Sequence, residues 1–175
     1  MLKRMILHDV IRLWVLLTTC LLGGLILNEM RPKPLDLVYV PPHARLGQSV
    51  ARLGASASVT TVPDGDVARD ELERLVADRG ALILDARPEV FYRIGHIPTA
   101  LSLARDDFDV RYPVLKASLQ VWGSLPLIVY CSSSECDDSR MVADALHKLG
   151  YMHVRVFRGG WYDWTGANLP QEKEP

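Results

Sequence analysis

The chain has few cysteines, no excess of basic charge and no glycine-rich nucleotide motif. Three cysteines are too few for a disulfide framework, and a chain of 175 residues can build a core without one. A formal net charge of −1 argues against nucleic-acid binding, which normally needs a basic surface. Neither a GxGxxG fingerprint nor a Walker A sequence is present, so we predict no nucleic-acid partner and no cofactor.

One long apolar run lies near the N-terminus. Residues Leu13 to Leu27 carry no charge, and a helix of ~18 residues rises roughly 27 Å, close to the hydrocarbon thickness of a bilayer. A cleaved signal peptide would have small residues after the run, whereas residues 28–32 read NEMRP. A buried helix of a globular domain is the other alternative. We predict that residues 1–30 form a cytoplasmic stub and an uncleaved transmembrane anchor.

Basic residues around this run predict its orientation. Lys3, Arg4 and Arg12 lie near or before its start, and Arg31 and Lys33 follow it. The positive-inside rule then places the N-terminus in the cytoplasm. We predict a single-pass protein of a bacterial inner membrane, with the remaining domain in the periplasm.

Residues 31–58 have the composition of a linker. Four prolines favour extended chain and are followed by the small polar run GASAS at 54–58. Residues 45–53 have an alternative interpretation as a short amphipathic segment on the membrane surface. We predict a spacer at 31–58, a globular domain at 59–170 and a polar tail at 171–175.

The globular domain alternates between strand and helix patterns. Short apolar runs predict strands at 59–62, 81–84, 100–103, 127–130 and 154–157. Helical spacing predicts helices at 67–77, 88–93, 107–121 with a break at Pro113, and 139–149. This alternation predicts an α/β fold, a doubly wound and mostly parallel sheet with helices on both faces.

Cys131 follows the 127–130 strand and precedes a helix. Ligands of such sheets bind beyond the carboxyl ends of the strands, and a helix N-terminus favours an anion such as a thiolate. Three acidic residues oppose this effect, because Glu135, Asp137 and Asp138 would raise the pKa of a nearby thiol. Asp137 or Asp138 has an alternative role as the helix N-cap.

Four motifs in order resemble the rhodanese family across residues 59–170. They are LDAR at 84–87, GHIPTA at 95–100, VYC at 129–131, and Gly159-Gly160 with Trp164 and NLP at 168–170. The resemblance implies a sulfurtransferase in which Cys131 carries sulfane sulfur as a persulfide. It also implies that backbone N–H groups from residue 132 onward hold the persulfide, and that Asp85, Arg87 and His96 support the scaffold. The corresponding active-site loop contains Ser132, Ser133, Ser134, Glu135, Asp137 and Asp138.

The loop departs from the family pattern in two ways. It is about two residues longer, acidic and free of glycine, which disfavours the dianion thiosulfate. Related phosphatases need an arginine where this chain has Asp137, so phosphatase activity is not predicted. The second departure is Cys136, which is either a resolving thiol able to form a disulfide with Cys131 or a residue that fills the loop interior. With only His96 or His147 as further ligands, no metal site is predicted.

The sequence therefore supports three functional hypotheses. The first is a membrane-anchored sulfurtransferase or thiol–persulfide redox protein acting on a small sulfur donor or thiol acceptor. The second is a non-catalytic module that binds a protein partner at the membrane. The third is a disulfide oxidoreductase using Cys131 and Cys136, which ranks last because its C-x4-C spacing differs from the two-residue spacer of thioredoxin-type enzymes.

Overall fold

The computed structural model describes residues 2–32, 34, 35, 37, 39–54, 65–121 and 125–174, with the backbone alone for residues 2–7. The chain divides into two compact units, residues 1–40 and residues 41–175. The strand predicted at 59–62 lies outside the described residues.

The first unit is dominated by one long helix, α1 (Leu2–Glu29). Its segment His8–Glu29 has a hydropathy of 2.2 and none of it is buried. After the helix, the Leu35 N–H donates to the Asn28 side-chain oxygen at 2.8 Å, and Asn28 Nδ2 donates to the Leu35 carbonyl at 3.0 Å. By length and composition, α1 is able to cross a membrane.

The second unit contains a four-stranded, fully parallel sheet in the order β2-β1-β3-β4. The strands are β1 (Leu82–Asp85), β2 (Leu101–Ser102), β3 (Leu127–Tyr130) and β4 (Val154–Phe157). The observed bounds of β3 and β4 are the predicted ones. All four residues of β1 and of β3 are buried, as expected for strands covered on both faces.

Helices cover both faces of this sheet, which confirms the predicted α/β architecture. The helices are α2 (Pro42–Arg52), α3 (Arg69–Ala77), α4 (Glu89–Ile94), α5 (Phe108–Val121), α6 (Asp138–Lys148) and α7 (Gly160–Gly166). On one face, Leu84 and Val129 belong to a core shared with α2, α5 and α6. On the other, Ile83 and Ile128 belong to a core shared with α3, α4 and α7. Alternate residues of each strand thus enter different cores.

Helix α2 lies inside the segment that the sequence indicates is a spacer. Its residues Leu46 and Val50 are buried and pack in the same core as α5 and α6. The two residues lie four apart and therefore on one face of the helix. The amphipathic pattern of residues 45–53 thus serves packing in this core and not binding to a membrane surface. The compact unit begins at Pro41 and not at residue 59.

Helix α5 continues through Pro113, where the sequence pattern predicts a break. A proline inside a helix removes one hydrogen bond and costs about 3 kcal/mol. Phe108, Tyr112 and Leu119 are buried on both sides of the proline along the chain. Their burial offsets the lost hydrogen bond, so tertiary packing prevails over the local preference.

The polar tail is attached to the second unit. The His96 N–H donates to the Glu172 carbonyl and the Glu172 N–H donates to the His96 carbonyl, both at 2.9 Å. The Glu174 N–H also donates to the Arg93 carbonyl at 3.2 Å. Residues 172 and 174 therefore bond to the end of α4 and to the segment that follows it, beyond the domain limit of 170 predicted from sequence.

Candidate active site

Cys131 is the first residue after β3, at the carboxyl edge of the sheet, where the sequence places it. It is 1% exposed, and its sulfur is bonded to that of Cys136 in a disulfide, with the two Cα atoms 6.2 Å apart. Cys136 is partly exposed. The structure thus contains the oxidised form of the pair, in which Cys131 has no free thiol.

The loop between the two cysteines leaves part of its main chain without hydrogen bonds to the described protein groups. Among the described residues, the N–H groups of Ser132, Ser133, Ser134 and Glu135 have no protein acceptor, whereas the Cys136 N–H donates to the Ser133 carbonyl at 3.1 Å. The next helix, α6, adds the unpaired N–H groups of its first turn. These donors suit an anion at the loop.

The carbonyl side of the loop is fixed by the start of α7. The Trp161 N–H donates to the Cys131 carbonyl at 2.8 Å, and the Tyr162 N–H donates to the Ser132 carbonyl at 3.0 Å. Gly160 has φ +64°, and a Cβ there would lie 2.6 Å from the Cys131 oxygen. Only glycine permits this approach, which gives a physical reason for the Gly159-Gly160 motif.

The three acidic residues of the loop have different surroundings. Glu135 and Asp137 are exposed, and Asp137 occupies the N-cap position without a side-chain capping bond. Asp138 is partly buried and accepts a hydrogen bond from Arg105 at 2.6 Å. Asp137 therefore lies at the predicted N-cap position but does not cap the helix with its side chain, and Asp138 is not the cap because Arg105 holds its carboxylate.

Arg105 is the charged neighbour of the loop that the sequence analysis missed. It follows β2 and so reaches the same edge of the sheet as Cys131, but nothing near it in sequence indicates a partner in α6. Burial raises the pKa of the Asp138 carboxyl, while the charge of Arg105 acts against that rise. The positive charge of Arg105 therefore offsets the negative charge of one of the three loop carboxylates.

Beneath the loop, Asp85 and Arg87 form a buried ion pair. Arg87 Nη2 donates to Asp85 Oδ2 at 2.6 Å, and Nε donates to Oδ1 at 3.0 Å. Tyr130, directly before Cys131, donates its hydroxyl to Asp85 at 2.6 Å and accepts the Ile97 N–H at 3.1 Å. Burial and the neighbouring Asp85 raise the pKa of the Tyr130 hydroxyl, which keeps it protonated as a donor.

Arg87 also links this pair to the neighbouring loops. Its Nη2 donates to the Gly95 carbonyl at 2.7 Å, and its guanidinium carbon lies 4.5 Å from the centre of the Trp161 ring. Burial would lower the pKa of the guanidinium, but the hydrogen bonds and charge of Asp85 raise it overall. Arg87 thereby connects β1, the GHIPTA segment and the start of α7, which holds the Cys131 carbonyl.

His96 belongs to a separate part of the site region. It is buried, its ring stacks on Tyr92 with centroids 3.9 Å apart, and its Nδ1 bonds to the Tyr92 carbonyl at 2.9 Å. Its Nε2 lies 3.8 Å from a carboxylate oxygen of Glu172. The structure thus brings Asp85 and Arg87 together below the loop, and places His96 against α4 and the tail.

Three potential metal ligands gather at the loop. The sulfurs of Cys131 and Cys136 and a carboxylate oxygen of Asp138 lie within 4.8 Å of one another. In the disulfide the sulfurs are bonded to each other and are not thiolate ligands. In this oxidised form the Asp138 carboxylate is the one member of this group of three that could bind a cation, and it is already paired with Arg105.

A small cleft opens beside Cys136. Its volume is about 10 Å³, and it is lined by Ser133, Ser134, Cys136, Asp137, Ser139, Arg140, Val156 and Arg158. Cys131 is not among these residues. The solvent-facing side of the disulfide is therefore the Cys136 side.

The fold and the loop together define a parallel α/β domain that presents a cysteine between a central strand and a helix. A model of the rhodanese-like domain matches residues 68–167, and the chain belongs to that family. The family resemblance seen in the motifs is thereby confirmed.

Relatives and a solved structure agree with this assignment. The Escherichia coli K12 protein YibN, described as uncharacterized, is 30% identical over 105 residues, which are 59% of this chain and 69% of that protein. A Synechococcus elongatus protein described as a putative thiosulfate sulfurtransferase is 30% identical over 118 residues, covering 57% of this chain and 37% of that protein. The rhodanese-like domain of an Anabaena protein superposes with a TM-score of 0.51 at 25% identity, covering 65% of this chain and 80% of that domain.

Proposed function

We propose that this protein is a membrane-anchored sulfurtransferase or persulfide redox protein that carries sulfane sulfur on Cys131 and resolves it with Cys136. The observation that carries the proposal is the Cys131–Cys136 disulfide at the carboxyl end of β3. A persulfide on the first cysteine would lie beside the second. The likeness to a protein described as a putative thiosulfate sulfurtransferase supports the same chemistry.

The proposed cycle balances in three steps. In the reduced protein the Cys131 thiolate attacks the outer sulfur of a donor such as a thiosulfonate. The outer sulfur is transferred to Cys131, which becomes a persulfide, and the remainder of the donor leaves as a sulfinate. The Cys136 thiolate then attacks the inner sulfur of that persulfide, which forms the disulfide and releases hydrosulfide. Two electrons from external thiols finally reduce the disulfide and restore both thiols.

Mass spectrometry of the reduced full chain in detergent tests this cycle. In Cys136→Ser the resolving thiol is absent, so a donor should leave one extra sulfur atom on Cys131. The wild-type chain should instead return to a species two hydrogens lighter than the dithiol, with release of hydrosulfide. Cys131→Ser is the control and should gain no sulfur.

The same measurement can contradict the proposal. If Cys136→Ser gains no sulfur from thiosulfate, a thiosulfonate or glutathione persulfide, Cys131 is not a sulfane-sulfur carrier. The acidic loop leads us to expect that thiosulfate is the poorest of the three donors.

We also propose that α1 anchors the chain in a bacterial inner membrane with the domain in the periplasm. The span His8–Glu29 and the positions of Lys3, Arg4 and Arg12 support this orientation. An oxidising periplasm is compatible with a disulfide. Alkaline phosphatase fused after residue 174 should be active in the intact cell. If that fusion is inactive, and a reporter that fluoresces only in the cytoplasm gives signal at the same position, the orientation is the opposite one.

A second function, a non-catalytic module that binds a protein partner at the membrane, is favoured by one observation. Cys131 is 1% exposed in this structure, whereas Glu135 and Asp137 face the solvent. If this is the function, Cys131→Ser keeps the cellular phenotype of the wild type, and the double variant Glu135→Lys/Asp137→Lys loses it. Loss in Cys131→Ser alone favours the enzyme.

A further inference from the structure

The two sulfurs of the disulfide differ in their access to solvent. Cys131 is buried at the end of β3, and the carbonyl next to it is held by α7. Cys136 is partly exposed and lines the cleft described above. A thiol arriving from solvent therefore meets the sulfur of Cys136 first.

The charges around this cleft are unequal. Arg140, in the first turn of α6, and Arg158, directly after β4, contribute two positive charges, against one negative charge from Asp137. Arg140 is exposed and has no ion-pair partner among the described residues, and Arg158 lies 3.9 Å from a carboxylate oxygen of Asp66. Asp138 and Glu135 do not line the cleft. A carboxylate oxygen of Asp138 lies within 4.8 Å of the Cys136 sulfur, where the bound Arg105 offsets its charge.

Hydroxyl groups complete the lining. Ser133, Ser134 and Ser139 surround the same opening, and a hydroxyl group donates readily to an anionic oxygen. A volume of about 10 Å³ holds roughly one water molecule. A ligand would consequently rest across the opening, with a negative group near the arginines and its sulfur against Cys136.

We infer that Cys136 is the sulfur attacked when the disulfide is reduced, and that the Arg140–Arg158 cleft selects small thiols that carry a negative charge. The thiolate of the reductant bonds to the Cys136 sulfur, and the disulfide bond breaks with its electron pair left on Cys131 as a thiolate. A second thiolate attacks the reductant's sulfur in the mixed disulfide, releasing the oxidised reductant and the Cys136 thiolate. This step rests on the proposed function for its place in the cycle, where it prepares Cys131 for the next sulfur donor.

Reduction kinetics with three small thiols of different charge test the selection. The oxidised full chain in detergent is mixed with mercaptoethanesulfonate, mercaptoethanol or cysteamine, and the rate of disulfide reduction is divided by the thiolate concentration. Each value is then divided by the rate at which the same thiol reduces a neutral reference compound, the disulfide of mercaptoethanol. The anionic thiol should be favoured over the cationic one by several-fold at low salt, and the preference should shrink as salt rises.

Charge reversal provides the matched variants. In Arg140→Glu/Arg158→Glu the ratio of anionic to cationic rates should fall about tenfold. The control Arg52→Glu/Arg74→Glu makes the same change in net charge on α2 and α3, outside the cleft, and should keep the wild-type ratio. An equal fall in both variants, or no fall in the cleft variant, overturns the selection.

Peptide mapping of the quenched mixed disulfide tests the site of attack. The reductant should be attached to Cys136 as a mixed disulfide, and the alkylating agent used for the quench should have modified the free thiol of Cys131. The opposite placement overturns the inference. Neither measurement requires a persulfide. If Cys136→Ser gains sulfur but these kinetic results are absent, the inference is wrong and the proposed function stands. If the kinetic results are found but Cys136→Ser gains no sulfur, selective reduction stands and sulfur transfer is wrong.

Discussion

The two faces of the sheet are built differently, although the same strands form both. On the face covered by α2, α5 and α6, the strand residues are leucine and valine throughout. On the face covered by α3, α4 and α7, the last residues of β1 and β3 are Asp85 and Tyr130, and both bond within a buried polar network. The first face stabilises the domain by apolar burial, and the second fixes geometry directly below the cysteine loop.

The largest effect on stability is expected from Arg87→Met. This change removes the guanidinium bonds to Asp85, keeps the bond from the residue 87 backbone N–H, and leaves a buried carboxylate without its cation, which costs about 3–5 kcal/mol. Urea unfolding of the full chain in detergent measures it. Arg93→Met, at an exposed arginine on α4, is the control.

A double variant separates the charge from the packing. Adding Asp85→Asn to Arg87→Met removes the unpaired charge and should recover part of the lost free energy of unfolding. If the double variant is as unstable as the single one, the loss of stability comes from the packing of the Arg87 side chain and not from the unpaired charge of Asp85.

A smaller loss is expected from Leu46→Ala on the apolar face. Leu46 is buried between α2 and the core of α5 and α6, and truncating it should lower the free energy of unfolding by about 3 kcal/mol. Gln48→Ala, at an exposed position of the same helix, should be nearly neutral. Equal behaviour of the two variants would show that α2 does not contribute to the core.

Matched tyrosines compare the hydroxyl groups of the two faces. Tyr130→Phe leaves Asp85 and the Ile97 N–H each without one partner, so we expect a loss of about 2 kcal/mol. Tyr112→Phe, on the apolar face, removes only a 3.4 Å contact with the Tyr151 hydroxyl and should cost much less. Similar losses in thermal unfolding would contradict the proposed difference between the faces.

The smallest effect concerns Glu71 on α3, which bonds to Arg155 of β4. The hydrogen bond from Arg155 lowers the pKa of Glu71 below its ordinary value of 4.5. The ionised carboxylate therefore stabilises the fold fully at pH values above the ordinary pKa of 4.5. This stabilisation is lost as the pH falls through the lowered pKa. Glu71→Gln should melt slightly below the wild type at neutral pH and converge with it in acid. Glu73→Gln, at an exposed position of the same helix, is the control.

Sequence patterns predicted the elements with a clear local signal. The strands LIVY at 127–130 and VRVF at 154–157 were predicted at their observed bounds, because short apolar runs between polar segments have few alternative structures. The helix after Cys131 was predicted within one residue at each end, since its apolar spacing is regular and Gly150 ends it with a left-handed φ of +98°.

Elements with weak local signals were harder to predict. Helix α2 shows only two buried residues among polar ones, and its role depends on α5 and α6, which are distant in sequence. Glu172 has the same difficulty, because its partners His96 and Thr99 are reached only when the chain folds back. Arg105 had no local signal for its bond to Asp138.

The sequence alone determined the α/β class, the family, the position of Cys131 after a buried strand and the apolar N-terminal segment. These follow from composition, period and local motifs, which short stretches of chain encode. Tertiary structure decided that Cys136 and not Cys131 faces solvent, that Arg105 holds Asp138, and that Arg140 and Arg158 meet at one cleft. Such pairings depend on which distant segments come close together, and spacing along the chain does not specify that.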